Sequence, residues 1–522
     1  MATGPWSWER FPWLLEMHDC SSLITVVQKA AQLGCSEWAI NRTLYVMDVR
    51  GTDCLYVLPA KTPDAYDFSS GRFDPALELS PYLMAMFTST KNKGHKVAGT
   101  ANLYIRGSKS RSGLRSIPTG RLVLDEVDVM DQDNIPLAME RTSGQTFKQI
   151  DLLSTPTRGG MGINLHYEKS TQDHFHYKCP CCSRWTELMF PQCLEVTGDG
   201  LNDPELRNSF YKCKECGGKL PHKMTEKGGG YDIAKVDWMK HNMWVPSFSD
   251  RDARGFTISQ MYSTTITPLE FAQSYIKSLS NPSDEQEFYN SKLGLPHVVS
   301  GSQITDADID KCIGGNRNGK SPAEGLICMG VDVGKFLHYE ISRYFPGQII
   351  GDDAHFNTPA RVIKIGKAEH FEELDQLMAE WNVISCVVDA DPERRLALQF
   401  ANRHYGRVKT CFYRNGISGK AIHVQQEVEH TVTVDRTSWL DMSLGRFRRD
   451  GSISIPIDTP FEYREHLKAL VRVYKKDKEG NPVGRYDNGT YDDHYAHSRN
   501  YCEIAFGLAE RFGKHTNIES PV

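Results

Sequence analysis

The sequence predicts two successive α/β units, the first an open, doubly wound, mainly parallel sheet interrupted by a cysteine-rich insertion. Three observations carry this. Short apolar stretches alternate with helical periodicity through the first third and again from Leu326. Residues 170–225 break that rhythm with a dense run of Cys, His, Lys and Gly. And 522 residues exceed what one hydrophobic core serves. The composition, 39% hydrophobic and 24% charged, is that of an ordinary globular chain. No apolar run approaches the roughly 20 residues that cross a bilayer, and the N-terminus carries neither a basic leader nor a long apolar stretch. A cytosolic chain without membrane partners is expected. The net charge of −5 does not advertise nucleic-acid binding, although an acidic site can coexist with a local basic groove.

Taken in order, Ser22–Val27 reads as a buried strand, Ser36–Asp48 as a helix and Asp53–Leu58 as a strand. Pro75–Phe87 reads as a helix, and Ala101–Ile105, Leu122–Leu124 and Gln149–Ser154 as further strands. Helical segments follow at Pro268–Ser278 and Ser283–Leu293. The Gly-, Asn- and Pro-rich stretch Ile313–Gly325 reads as a linker, setting domain limits of 1–312 and 326–522. The second unit opens with the strand Leu326–Gly334, followed by apolar stretches at His338–Tyr344 and Gln348–Ile350 and a helix at Phe371–Trp381. Ser385–Asp391 is another buried strand, Pro392 is expected at the first position of a helix, and Tyr491–His497 opens the final helix.

The nucleotide signal is Arg121–Asp128, an apolar strand ending in Asp125 and Glu126. Two carboxylates at the carboxyl edge of a parallel sheet suit Mg2+ binding by Asp125 and orientation or deprotonation of the attacking water by Glu126. A strand ending in solvated acids is the plainer alternative. Upstream, Gln28–Ser36 departs from the phosphate-loop pattern G-x-x-x-x-G-K-S/T. Gly34 and Ser36 fit, Lys29 stands for the first glycine and Cys35 for the lysine. The chemistry asks for one ammonium near the phosphates of ATP and for free N–H groups at a helix start, and Lys29 can bring that ammonium from the other end of the loop.

Cys179-Pro-Cys-Cys182 and Cys213-Lys-Glu-Cys216 form two C-x-x-C pairs suited to a tetrahedral, structural Zn2+ site, with Cys181 an alternative within the first pair. His174 and His176 close by read as surface residues. Asp332, Asp389 and Asp493, two near strand ends and one at a helix start, form the acidic set that a two-metal phosphodiesterase needs for Mg2+ or Mn2+.

The lysine displaced to the start of the loop, together with Asp125–Glu126, resembles the large terminase subunits of tailed bacteriophages, particularly the lambda-type GpA family. The resemblance runs from about Trp6 to Tyr501. It implies a P-loop ATPase domain with a zinc-binding insertion and an RNase H-like nuclease domain. Leu152–Thr157 looks like the family's coupling motif, with Ser154 and Thr155 matching, and Trp6–Trp13 like its adenine-side segment. An arginine acting in trans is implied, with Arg115 the first candidate and Arg106 and Arg111 behind it. Asp332, Asp389 and Asp493 match the three acidic positions. Asp493–His497 is close to the family's Asp-His-x-x-His, which favours Asp493 over Asp492 and leaves Asp391 in reserve. His494 and His497 either assist the metals or cap the helix.

The function so implied is ATP-driven packaging of double-stranded viral DNA into a procapsid, with cleavage of concatemeric DNA. The implied partners are that DNA, a small terminase subunit, the portal protein and further copies of the chain in a ring. The implied location is the host cytoplasm, at the procapsid portal. Only 28 residues precede Lys29 and little follows the last acidic motif, so the small-subunit segment and a portal-docking extension are expected to be short or absent. A helicase–nuclease of repair or replication is the alternative function. A transposase or resolvase leaves the Asp-Glu strand unexplained, and a non-enzymatic reading treats the loop as dead and the cysteines as a DNA-binding element.

Overall fold

The computed structural model describes residues 8–87, 92–115, 117–225, 230–320, 326–345, 358–414, 422–424, 430–476, 482–489 and 491–515. The expected strand at Gln348–Ile350, Trp6 and the last part of the expected linker, 321–325, lie outside them. Two compact units are present, Met1–Val299 and Ser300–Val522. Among the described residues no helix is long and apolar enough to cross a membrane.

The first unit is built on nine principal strands: β1 (Ile24–Lys29), β2 (Cys54–Leu58), β3 (His95–Ala98), β4 (Ala101–Gly107), β5 (Arg121–Asp125), β6 (Gln149–Ser154), β7 (Asp173–Lys178), β8 (Asn242–Pro246) and β9 (Arg254–Ile258). They lie in the order β8-β7-β9-β1-β6-β5-β2-β4-β3. Every neighbouring pair from β7 to β4 is parallel, and only the outer strands β8 and β3 run antiparallel. β2 and β5 are buried at every position, as parallel strands covered on both faces must be, and this explains the apolar runs Cys54–Leu58 and Leu122–Leu124. Helix α1 (Cys35–Arg50) leaves β1, and α2 (Gly162–Glu168) follows β6. The expected helix Pro75–Phe87 is instead two short ones, Asp74–Glu78 and Pro81–Met86. Pro81 cannot continue the first, and the Ser80 side chain caps the second by accepting from Leu83 N. Asp173–Lys178, expected inside the insertion, is a strand of the main sheet paired with β9, so the irregular cysteine-rich segment starts only after Lys178.

The second unit comprises β10 (Leu326–Val333), β11 (Leu337–Tyr344), β12 (Ala360–Ala368), β13 (Ser385–Asp389), β14 (Val408–Tyr413), β15 (Ile422–Val424), β16 (Thr431–Val434) and β17 (Ile453–Ser454), ordered β15-β16-β14-β13-β10-β11-β12-β17. β10, β11 and β12 form an antiparallel meander, while β13, β14 and β16 run parallel to β10. Alternation along β10 divides the core. Ile327, Met329 and Val331 pack with α3 (Phe371–Glu380) and α4 (Arg394–Arg403), whereas Cys328 faces α5 (Arg436–Gly445), α6 (Phe461–Ala469) and α7 (His494–His515). α4 starts at Arg394, two residues beyond Pro392, which therefore does not hold the expected first helical position. Gly330 lets α7 lie directly on β10, because a Cβ there would sit 2.1 Å from Cys502 N and Ser498 O.

Residues 313–320, expected as linker, run along β12. The Asn318 side chain both donates to Ile365 O (3.0 Å) and accepts from Ile365 N (2.8 Å), and Gly319 N donates to Ile363 O.

Candidate functional site

β1 delivers Lys29 to the carboxyl edge of the first sheet, and the chain then turns into α1 through residues 30–34. Gln32 (φ 59°) and Gly34 (φ 78°) are left-handed there, and a side chain at Gly34 would be both strained and pressed 3.0 Å against the Phe11 ring. Trp13 supports the same loop by donating from Nε1 to Leu33 O at 2.9 Å. No side chain caps the first turn of α1, so its leading N–H groups remain available to an anion.

Two strands away, β5 ends at Asp125, and Glu126 adopts a left-handed backbone (φ 65°), uncommon for a residue with a side chain. Lys29 Nζ meets Glu126 Oε1 at 3.2 Å. Burial alone would depress the Lys29 ammonium, but Glu126 and Asp125 outweigh it and hold the pKa above its ordinary value. Asp125 is fully buried. Burial and Glu126 push its carboxyl up to about 6, against the opposing pull of Lys29 and of hydrogen bonds from Tyr56 and Ser36. The Tyr56 hydroxyl donates to Asp125 Oδ2 at 2.6 Å. Burial pushes the Cys35 thiol up to about 12, so it adds no charge beside Lys29. The structure thus gathers Lys29, Gly34, Cys35, Ser36, Asp125 and Glu126. A cavity of about 400 Å3 bounded by Glu126, Val129, Phe68 and Arg72 opens beside them.

Ser154 ends β6, next to β5, and Thr155 follows it. The Ser154 hydroxyl accepts from Asp128 N at 3.2 Å. Asp128 itself accepts from Thr157 N (2.8 Å), Thr157 Oγ1 (2.9 Å) and Ile163 N (2.8 Å). It therefore ties the turn after β5 to the end of β6 and the start of α2. Sequence reasoning gave neither Asp128 nor Tyr56 a role. Asp128 stood in the quoted motif, but nothing in the order of residues showed what it holds. Arg115 is exposed beyond the one-turn helix Arg111–Leu114. Arg106 lies over Tyr104 and donates to Gly94 O. Among the described residues none of Arg106, Arg111 and Arg115 contacts the Lys29–Glu126 pair.

The ligand sulfurs of Cys179, Cys182, Cys213 and Cys216 lie within 4.8 Å of one another. Backbone N–H groups of Cys181, Glu215 and Gly218 point at the sulfurs of Cys179, Cys213 and Cys216, each at 3.4 Å. Cys181 turns away, its thiol 3.6 Å from Lys219 O.

In the second unit Asp332, next to last in β10, and Asp389, at the end of the parallel strand β13, each lie one residue past the Val331–Val388 pair. Burial, then the Asp332 charge, pushes the Asp389 carboxyl up to about 6. Asp332 Oδ2 is 2.8 Å from His494 Nδ1. Asp493, immediately before α7, pairs with His497 Nε2 at 3.2 Å and lies 3.9 Å from Arg436. Burial raises its carboxyl, but the His497 contact and Arg436 outweigh that and hold it below the ordinary range. Asp391 is exposed and approaches Asp389 only through its backbone N–H, and Asp492 is exposed. The tight group around Asp332, with ligand atoms within 4.8 Å, is completed by His338 and His494; among the described residues the three aspartates do not form such a group. His338 was missed. The short β10–β11 turn sets it opposite Asp332, a pairing that the order of residues does not show.

A parallel-sheet unit bearing a lysine-led loop and an Asp-Glu strand, followed by a mixed-sheet unit bearing acids near neighbouring strand ends, defines a class: a domain of the nucleotide-hydrolase type followed by an acidic α/β domain. Residues 1–238 match the family described as phage terminase large subunit gpA, ATPase domain, and this match supports a phage terminase large subunit. No curated protein matches it. Among solved structures the chain is similar to the large terminase of bacteriophage HK97 (9% identity, 96% of this chain and 95% of that one, TM-score 0.49). It is also similar to the large terminase ATPase domain of Thermus phage P74-26 (15%, 56% and 94%, 0.32). A third is the large terminase nuclease of thermophilic phage G20c with bound magnesium (12%, 39% and 97%, 0.24).

Proposed function

We propose that the chain is an ATP-driven translocase of double-stranded DNA joined to a two-metal DNA endonuclease, the large subunit of a packaging terminase. The observation that carries the motor half is the Lys29–Glu126 pair beside buried Asp125 at the uncapped start of α1. An ATP phosphate chain on that helix start exchanges Glu126 for phosphate at Lys29, which frees Glu126 to orient and deprotonate the attacking water. Asp125 and Ser36 are the groups that would hold Mg2+, and a fully buried carboxyl shared with Tyr56 fits that demand. Ser154, linked to the β5 turn through Asp128, and Thr155 beside it pass the change at the phosphates to α2. Arg115 is exposed as a residue serving a neighbouring subunit's site must be.

For the nuclease half, the β12-β11-β10-β13-β14 order with an antiparallel first three supports the RNase H-like reading. Asp332, Asp389 and Asp493 would hold divalent ions, Mg2+ or Mn2+, whose contribution is to activate water and stabilise the leaving oxygen. The mutual repulsion at Asp332 and Asp389 fits a site completed by cations. Cys179, Cys182, Cys213 and Cys216 fit a structural Zn2+ by donor set and by their N–H contacts. The partners proposed are viral DNA, a small subunit, a portal and copies of the chain around the DNA, in the host cytoplasm. Grip on the DNA falls on phosphates and weakens with salt.

DNA-stimulated ATP hydrolysis tests the motor. Glu126→Gln and Lys29→Ala are each expected to lower turnover by on the order of 100-fold or more; unchanged turnover in either overturns the assignment. Asp332→Asn is expected to abolish cleavage and spare ATP hydrolysis, and the reverse outcome would break the division into two sites.

A further inference from the structure

The second unit packs three imidazoles around one carboxylate. His338 is the cross-strand partner of Asp332. Its ring lies parallel to that of His494, with 4.5 Å between centroids and 9° between planes. His466 of α6 closes the group, its centroid 5.8 Å from His338 and 5.7 Å from His494. One ligand atom from each of Asp332, His338 and His494 falls within 4.8 Å of the other two. His338 is only 4% exposed, and its Nδ1 is buried with no hydrogen-bond partner among the described residues. A polar nitrogen shut away from water without a partner forfeits its hydration, and such atoms in native proteins call for an explanation. Packing alone would be served better by an apolar residue at this position of β11.

We infer that His338 and His494 are metal ligands together with Asp332, so that the ion at this end of β10 sits in a mixed carboxylate–imidazole set. The site then favours a first-row transition ion over Mg2+, because imidazole nitrogen is a softer donor than the all-oxygen sphere Mg2+ demands. Asp332, His338 and His494 would each offer one lone pair to the ion, His494 as a neutral imidazole with its one proton on the ring nitrogen turned away from the ion. His466, 5.7 Å from the His494 ring, backs the cluster as a positioning residue. The inference rests on the nuclease reading and deepens it by naming the class of ion.

Mn2+ added to the full-length protein is the probe, read by electron spin resonance for occupancy and by electron-spin-echo modulation for nitrogen-14 bound to the ion. Wild-type protein is expected to bind Mn2+ with nitrogen coupling, and the cysteine cluster cannot supply that signal because its ligands are sulfur. His338→Phe and the more conservative His338→Gln are expected to reduce the coupling and to weaken Mn2+ binding by about tenfold or more. Competition by Mg2+ should change by less than about twofold. Bound Mn2+ without nitrogen coupling overturns the inference and leaves a carboxylate-only nuclease site standing. If wild-type protein binds neither Mn2+ nor Mg2+ here, the nuclease reading falls with it.

Discussion

Replacing Arg499 by Met should destabilise the second unit more than any surface change in it. Arg499 is on α7, and it pairs with Glu340 of β11 and with Glu503 Oε2 at 2.5 Å. Arg446 holds the other side of Glu503 at 2.6 Å, and all four side chains are fully buried. The substitution leaves Glu340 with two neutral donors, Tyr463 Oη and Ser342 Oγ, each at 2.7 Å. Breaking a buried pair by removing one partner costs about 3–5 kcal/mol. In a domain of this size each kcal/mol moves the midpoint by roughly 2–4 °C, so a fall of roughly 6–20 °C is expected. Calorimetry and urea unfolding of the full chain read this in the transition that contains the second unit. Glu340→Gln in the Arg499→Met background removes the stranded charge and should recover at least half of the loss. A fall below about 3 °C, or a double variant no more stable than the single one, would refute the reasoning.

Further outcomes follow from the sites. The Asp389 carboxyl is raised from 3.8 to about 6, so its stabilising share is complete below the ordinary value and is lost as pH rises through about 6. In buffer without Mg2+ or Mn2+, Asp389→Asn should therefore be more stable than wild type at pH 7, by at most about 3 kcal/mol. The advantage should vanish near pH 4, and thermal unfolding profiles that stay parallel across this range would contradict it. Elemental analysis should find one Zn2+ per chain, retained by Cys181→Ser and lost by Cys213→Ser with a lower thermal midpoint; equal retention by both would reject the four-cysteine site. Asp128→Ala strands the donors Thr157 N and Ile163 N. It should cut ATP turnover about tenfold or more while leaving nucleotide affinity within about twofold. Equal losses in both would make Asp128 merely a part of the binding pocket.

What could be read from the sequence was what repeats or clusters locally. Buried parallel strands announce themselves as apolar runs, which is why β1, β2, β5, β6, β10 and β13 were legible within a few residues. The strands β7, β8 and β9 were not. Asp173-His-Phe-His-Tyr-Lys178 alternates in burial, with Asp173, Phe175 and Tyr177 inward, and its histidines and lysine read as part of the cysteine-rich insertion. The site divides along the same line. That Lys29, Asp125 and Glu126 come together was legible, because the expected phosphate chemistry asks for an ammonium and two acids near strand ends. Tyr56 and His338 were not, because each owes its place to a strand pairing, Tyr56 against Val123 and His338 against Asp332, that only the fold creates. The pairing of Arg499 and Arg446 with Glu340 and Glu503 is of the same kind, since in a linear reading four charges in apolar segments look like surface.

Residues 313–320 show how one composition serves two opposite ends. Asn and Gly are frequent in flexible connections because Gly is permissive and the Asn amide competes with the backbone for hydrogen bonds. The same amide, presented to a strand, copies a peptide group. Asn318 donates to and accepts from Ile365 as a neighbouring strand would, and Asn316 Nδ2 reaches Val362 O at 3.0 Å. Gly314 N donates to Ile455 O, which fastens the other side of the segment. β12 pairs with β17 over only Ala360 and Arg361, so the rest of that edge would otherwise offer open N–H and C=O groups to any passing chain. The segment covers them without requiring apolar side chains of its own. Its polarity, which argued for a linker, is what lets it satisfy a sheet edge while facing water.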